Sequence, residues 1–253
     1  MEQVRLTLRL RLGDEMGASR LTIPNMQALL RRLEAVGQAA LVTIESVVSS
    51  FCDGLDVQWV ERQEYGRTPG SVVSSALECY RELLTSIETT PVPVIALVNG
   101  PALGGGLGLV AAADLVIASP HATFAFPEAL MGLIPAVAFA ATARRIGSPH
   151  TRFLALSGKP LSAADALRLG LVDEIAEDVE VALAAYAKRF LRMDRRALSN
   201  IKTLVSTHYG MGADYYADAS SRFADLWNSR ETRKRMTRFA GGQTPWSDEG
   251  DHQ

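Results

Sequence analysis

Three consecutive glycines, Gly104-Gly105-Gly106, and one glutamate, Glu128, are the residues of this chain best placed to do chemistry. The glycines follow an apolar run, Val92 to Val98, and the turn signal Asn99-Gly100-Pro101. They lead into a small-residue stretch, Leu107 to Ala113. That order predicts a buried strand, a tight turn and a helix. The first N–H groups of a helix have no intrahelical partner, and the helix dipole favours negative charge beside them. Glycine lets a ligand reach that backbone, because no Cβ stands in the way. Such a turn can hold a phosphate, an enolate or a tetrahedral oxyanion. It can also serve only to pack a helix against a sheet. Phosphate is the poorer fit: no Lys-Ser/Thr follows the glycines, and Leu103 to Gly108 does not give G-x-G-x-x-G with an acidic residue on a following strand.

Glu128 follows a second apolar segment. Asp114 to Ala118 reads as another strand, and Phe124-Ala125-Phe126 leads directly into Pro127-Glu128. The apolar neighbours Phe124, Phe126, Leu130 and Met131 would desolvate the carboxylate and raise its pKa towards general acid–base use. Pro127-Glu128 is equally a good opening for a helix, where an acidic residue meets the positive dipole end.

The elements that must position these residues can be read in order. Leu8, Leu10 and Leu12 continue an alternation begun at Val4 and Leu6, with arginines and Thr7 between, which predicts a strand with one solvated face. Gly13 to Gly17 is a turn. Thr22 and Pro24 open a helix carrying Met26, Leu29, Leu30 and Leu33, and Gly37 stops it. Ala40 to Ile44 is a strand and Ser49 to Asp56 a loop. Residues 57–70 are polar and end in Thr68-Pro69-Gly70, so they read as a mobile flap over a pocket or as a solvated linker. Ser71 to Thr89 is a packing helix in which Tyr80 belongs to the core. From Leu130 helices dominate, over 136–146, 151–156, 162–169 and three more to Phe239, with a short strand at 171–175. The alternation before residue 120 predicts an α/β core.

Composition narrows the function. With 47% hydrophobic and 21% charged residues, the chain of 253 is ordinary globular material for one domain or one and a half. A net charge of −2 gives no electrostatic case for nucleic acid or an anionic membrane. Cys52 and Cys79 match no metal spacing and are too few for a disulfide framework. The alternating N-terminus is no signal peptide, and no apolar run reaches membrane length, so a cytoplasmic protein is expected. The run Arg230-Glu231-Thr232-Arg233-Lys234-Arg235 reads as a solvated helix face, and the tail after Gly241 as loose apart from Pro245-Trp246.

Five ordered motifs between about residue 40 and residue 178 resemble the crotonase (enoyl-CoA hydratase/isomerase) superfamily. They are Phe51-Cys52-Asp53-Gly54-Leu55-Asp56; Asn99-Gly100-Pro101 through Gly106; Ala113-Asp114-Leu115-Val116-Ile117-Ala118; Phe126-Pro127-Glu128 with Gly132-Leu133-Ile134-Pro135; and Leu156 to Ala163 with Ala166 through Gly170-Leu171-Val172-Asp173. The resemblance implies an α/β crotonase fold, a spiral of repeated ββα units over residues 1–190. It also implies a C-terminal helical region, 191–253, that packs into homotrimers or pairs of trimers. It places an oxyanion hole at the backbone N–H groups of Leu55 and Gly105, supported by Gly104, Gly106, Asp53 and Ala136. Two-glutamate hydratases of this family carry one carboxylate after the glycine turn and another after the F-x-x-P strand. Here Gly108 stands at the first position and Glu128 at the second, so catalysis by a single carboxylate is expected. Asp53, Asp56, His121 and Tyr80 are the candidates to complete the pocket beside Gly108.

Within the superfamily, Phe51-Cys52, Gly104 through Asp114, Pro127 through Ala136, Arg144-Arg145-Ile146-Gly147 and the ending Gly242-x-x-Pro245-Trp246 resemble the dehydratases of polyketide β-branching cassettes. Those enzymes convert a 3-hydroxy-3-methylglutaryl group on an acyl carrier protein to 3-methylglutaconyl. The companion decarboxylase relies on a lysine near the oxyanion loop, whereas this chain has none before Lys159. The resemblance implies no metal and no cofactor of the protein's own, the acyl chain arriving on the phosphopantetheine of a carrier protein or of coenzyme A. An acidic carrier would need a basic patch, for which Arg62, Arg67, Arg144 and Arg145 are candidates. Two other functions fit the same residues: a coenzyme A-dependent isomerase or hydratase, and a non-catalytic crotonase-like partner protein.

Overall fold

The computed structural model describes residues 7–13, 19–209, 220–221 and 223–243, and only the backbone at 203–209 and 231. The expectations at Val4, Leu6, Gly17 and Pro245-Trp246 lie outside the described residues.

Two sheets share one set of connections. The larger has the order β1 (Thr7–Leu12), β2 (Leu41–Ser46), β3 (Val94–Val98), β5 (Leu115–Ala118), β8 (Glu174–Ile175), every neighbouring pair parallel. The smaller joins β4 (Ala102–Leu103), β6 (Thr123–Ala125) and β7 (Leu161–Ser162), parallel between the first two and antiparallel between the last. A bridge from Cys52 to Ala102 extends it by one position. The chain therefore steps from the large sheet to the small one and then into a helix, twice over: β3, β4, then α4 (Gly105–Ala112); β5, β6, then α5 (Ala136–Ile146). This is the expected ββα spiral.

Parallel strands are covered on both faces and read as continuous apolar runs, and β3 is buried at all five positions. Two aspartates fix the register at strand starts. The Val94 N–H donates to Asp114 Oδ2 and the Val116 N–H to Asp173 Oδ2, each at 2.7 Å. Asp114 also receives the Lys202 ammonium from the helix Arg195–Tyr209, which donates to the carbonyls of Ile87 and Val92 at 3.1 Å as well. The helix after β1, α1 (Ile23–Glu34), starts as the sequence predicts. Thr22 caps it with a reciprocal pair to Asn25, and Pro24 lies in its first turn.

The stretch read as a flap is a correction. Residues Val57–Glu64 form helix α2, capped by the Asp56 carboxylate accepting from the Trp59 N–H at 2.8 Å. Val57, Val60 and Glu64 are buried on one face. Glu64 Oε1 accepts from the Val73 N–H at 3.4 Å and Oε2 from the Trp227 indole N–H at 3.2 Å. Polar composition hid a helix whose burial depends on remote partners. Only the residues after it, 65–69, are exposed throughout.

Helix α3 (Ser71–Thr89) lies against α1 and α4 and buries Tyr80, as expected of a packing helix. The C-terminal residues close the same core: Phe223, Trp227 and Met236 belong to its hydrophobic cluster. The last helix, Arg230–Ala240, is tied to the turn bearing Glu128 by Thr232, whose hydroxyl donates to the Gly132 carbonyl at 3.1 Å. Among the described residues no helix is long and apolar enough to cross a membrane.

Candidate active site

The loop from β2 to α2 is held from both sides. The N–H groups of Phe51 and Cys52 donate to the Pro101 carbonyl at 2.9 and 3.1 Å, and the Leu103 N–H donates to the Cys52 carbonyl at 2.8 Å. On the other side, Asp53 N–H donates to Ser19 O at 2.7 Å, Leu21 N–H to Gly54 O at 2.8 Å, and Asp56 N–H to Leu21 O at 2.9 Å. Gly54 sits at φ +81°, and a Cβ there would meet Leu103 O at 2.9 Å and Gly105 N at 3.3 Å. The Gly54 Cα is thus laid over the glycine turn, which brings Leu55 beside Gly105.

The three glycines have separate jobs. Gly104 takes φ +53°, and a Cβ on it would stand 2.7 Å from Glu128 Oε1. Gly105 begins α4 and so presents an N–H at the positive end of the helix. Gly106 lies against Cys52, whose own Cβ would be 2.7 Å from any Cβ placed there. Among the described residues, neither the Leu55 nor the Gly105 N–H donates to another group. Two donors without a partner, side by side, can together receive an oxygen that carries negative charge.

Glu128 opens a single 3-10 turn, Glu128–Met131, directly after β6. The Leu133 N–H donates to its carbonyl at 2.9 Å and pins the turn. Part of the residue meets solvent, yet its carboxylate end is buried, and Oε2 has no partner. Burial without a neighbouring cation pushes its pKa up to about 8. The carboxyl rests on the Cα of Gly104, beside the two donors.

All of this faces a cavity of about 90 Å³, lined by Leu55, Gly104, Gly105, Glu128, Tyr80 and apolar side chains that include Ala136, Phe223 and Trp227. Asp53 stands at its rim, exposed, with Oδ1 accepting from the Ser50 hydroxyl at 2.5 Å. Its lining contains no lysine, arginine or histidine among the described residues. Of the residues expected here, Glu128, Leu55, Gly104, Gly105, Asp53 and Ala136 come together, while Gly106 and Gly108 lie behind the lining.

Gly108 is glycine for a concrete reason. A Cβ there would overlap the Tyr80 hydroxyl and approach Ala138 Cβ to 2.9 Å. The Tyr80 hydroxyl donates to the Gly105 carbonyl at 2.5 Å. Of the four candidates to complete the pocket, Tyr80 occupies this place. Asp56 caps α2, and exposed His121 is absent from the lining. The sequence placed Tyr80 in the core correctly but showed nothing of its hydroxyl's target. Phe223 and Trp227, stacked with ring centroids 5.9 Å apart, were also missed. Their only signal was an aromatic pair at helical spacing.

Two expectations about basic residues are corrected. Arg144 is paired with Glu88, and Arg145 with Asp173 and the carbonyls of Ala113 and Leu171, so both brace the fold. Arg62 and Arg67 remain exposed. Cys52 is a buried thiol whose pKa desolvation pushes up to about 12, which makes it inert at neutral pH. Among the described residues no group of His, Cys, Asp and Glu could hold a metal.

Comparison with known proteins agrees with this fold. The family described as Enoyl-CoA hydratase/isomerase matches residues 19–249. The bacillaene synthase dehydratase PksH of Bacillus subtilis is 30% identical over 210 residues, covering 83% of this chain and 80% of that protein. The mitochondrial enoyl-CoA hydratase domain-containing protein 3 of Danio rerio is 31% identical over 215 residues, covering 83% and 73%. Among solved structures, the polyketide biosynthesis enoyl-CoA hydratase pksH from Bacillus subtilis superposes with a TM-score of 0.82 at 26% identity, over 88% of this chain and 89% of that one. An enoyl-CoA hydratase from Bacillus halodurans, 23% identical with a TM-score of 0.81 over 92% and 96%, shares the fold.

Proposed function

The chain belongs to the enoyl-CoA hydratase/isomerase family, and within it we propose a hydro-lyase that removes water from a 3-hydroxy-3-methylglutaryl group on an acyl carrier protein, giving 3-methylglutaconyl. One observation carries the reading: a single buried, unpaired carboxylate, Glu128, lies beside two free backbone donors, and the family's other carboxylate position is Gly108. The likeness to a bacillaene synthase dehydratase supports it.

The chemistry follows from those positions. Thioester oxygen accepts from the N–H groups of Leu55 and Gly105. Glu128 as carboxylate takes a proton from C2, and the charge moves to that oxygen as an enolate. The electrons return to form the C2=C3 bond while C3–O breaks. Glu128, now the acid, gives its proton to the departing hydroxyl, which leaves as water. Both transfers use one carboxylate, so hydrogen and hydroxyl depart from the same face. The cation-free, mostly apolar lining keeps water from the enolate and sustains the high pKa of the base. An acidic carrier would find exposed cations at Arg62, Arg67, Arg230 and Lys234.

A second reading rests on the cation-free lining. No cation among the described residues waits for the terminal carboxylate of a glutaryl chain, which favours a neutral acyl group on coenzyme A. Mass spectrometry decides between them. The carrier loaded with 3-hydroxy-3-methylglutaryl, its coenzyme A thioester and a neutral enoyl-CoA are each incubated with enzyme. Loss of one water, fastest on the carrier, is the expected result. Turnover of the enoyl-CoA alone would overturn the carrier reading.

A further inference from the structure

We propose that the Tyr80 hydroxyl contacts the 3-hydroxyl of the acyl chain and aims it at Glu128, taking over the space and the positioning duty of the carboxylate absent at Gly108. This inference rests on the dehydratase reading and adds a residue to it.

Three observations converge. Tyr80 is 6% exposed and lines the same cavity as Glu128. Its hydroxyl lies where a side chain at 108 would begin, and Ala138 closes the remaining room, with its Cα 3.0 Å from that point. The same hydroxyl donates to the carbonyl of Gly105, the residue whose N–H holds the thioester oxygen. The phenol is therefore fixed relative to the oxyanion hole. Glu128 Oε1 rests on the neighbouring Gly104, while the Tyr80 ring carbon bearing oxygen would be 3.5 Å from a Cβ on Gly105. Carboxylate and phenol thus flank two successive residues of one turn.

A tyrosine hydroxyl keeps acceptor capacity when its proton is engaged. Accepting the hydrogen of the substrate's 3-hydroxyl would turn that oxygen's lone pairs towards the protonated Glu128. Tyr80 then transfers no proton. The C2 proton still travels through Glu128 to the departing oxygen, and the products remain the enoyl thioester and water. A substrate without a 3-hydroxyl has nothing for Tyr80 to hold.

That difference supplies the test. Tyr80→Phe keeps the ring and loses the contact. Dehydration of the 3-hydroxy-3-methylglutaryl thioester is measured beside C2 hydrogen exchange, in deuterium oxide, of the 3-methylglutaryl thioester, which lacks the hydroxyl. Loss of one oriented hydrogen bond should slow dehydration by about tenfold or more and leave exchange within about twofold of wild type. A proportional fall in both would mean that Tyr80 only braces Gly105, and no fall in either would remove it from the site; each outcome overturns the proposal. A wild type that exchanges C2 hydrogen yet releases no water would instead overturn the dehydratase reading, and this role with it.

Discussion

Glu128→Gln is expected to lower the dehydration kcat by about 10³–10⁴-fold with KM nearly unchanged, since one carboxylate makes both proton transfers and glutamine keeps its shape. The same substitution should stabilise the protein, and the sign can be followed through the pKa. Burial raises the carboxyl from 4.5 to about 8 in the folded state. The folded protein therefore binds a proton more tightly than the unfolded chain. Stability tied to that proton is complete below pH 4.5, declines as pH rises towards 8, and is constant above. Glutamine has no such decline. Partial solvent access to the residue limits the difference to roughly 3 kcal/mol at pH 8. Thermal melts of the two proteins should converge near pH 4.5 and separate towards pH 8, with the variant higher. A catalytic carboxylate held without a partner is a local strain on the fold that function retains.

Gly54→Ala should be nearly as damaging although Gly54 touches no reacting atom. Alanine at φ +81° is strained, by about 1–2 kcal/mol, and its Cβ would press on Leu103 O at 2.9 Å. Relief requires the loop to lift from the glycine turn, which carries the Leu55 N–H out of line. Losing one such donor costs roughly 2.7–4 kcal/mol in the transition state, or 10²–10³ in kcat. Leu55→Ala, which keeps the backbone donor, should retain activity within about tenfold. Steady-state kinetics of the pair separates a backbone role from a side-chain one.

What the sequence revealed and concealed follows from where each constraint is written. Strands β3 and β5, the cap at Thr22 and the turn at Gly104 are dictated by neighbours within a few residues, so periodicity and glycine positions displayed them. The resemblance pointed to Leu55, Gly105 and Glu128, which line one cavity, because local motif residues frame each one. Helix α2 was misread because its buried Glu64 is satisfied by Trp227, 163 positions away. Nothing in the sequence singled Tyr80 out from Asp53, Asp56 and His121 beside Gly108, because its hydroxyl answers Gly105, 25 residues on, across a helix–helix contact. Arg144 and Arg145 looked available for a partner until Glu88 and Asp173 were found beside them. Polar side chains with distant partners are what one-dimensional patterns conceal.

The central claim is that a single desolvated carboxylate supplies both base and acid. The measurement that tests it most directly is kcat/KM for dehydration against pH. Only ionised Glu128 can take the C2 proton, so the account predicts a tenfold rise per pH unit up to about pH 8 and a plateau beyond. A profile already flat from near pH 5, or an inflection near 8 that persists in Glu128→Gln, would contradict it.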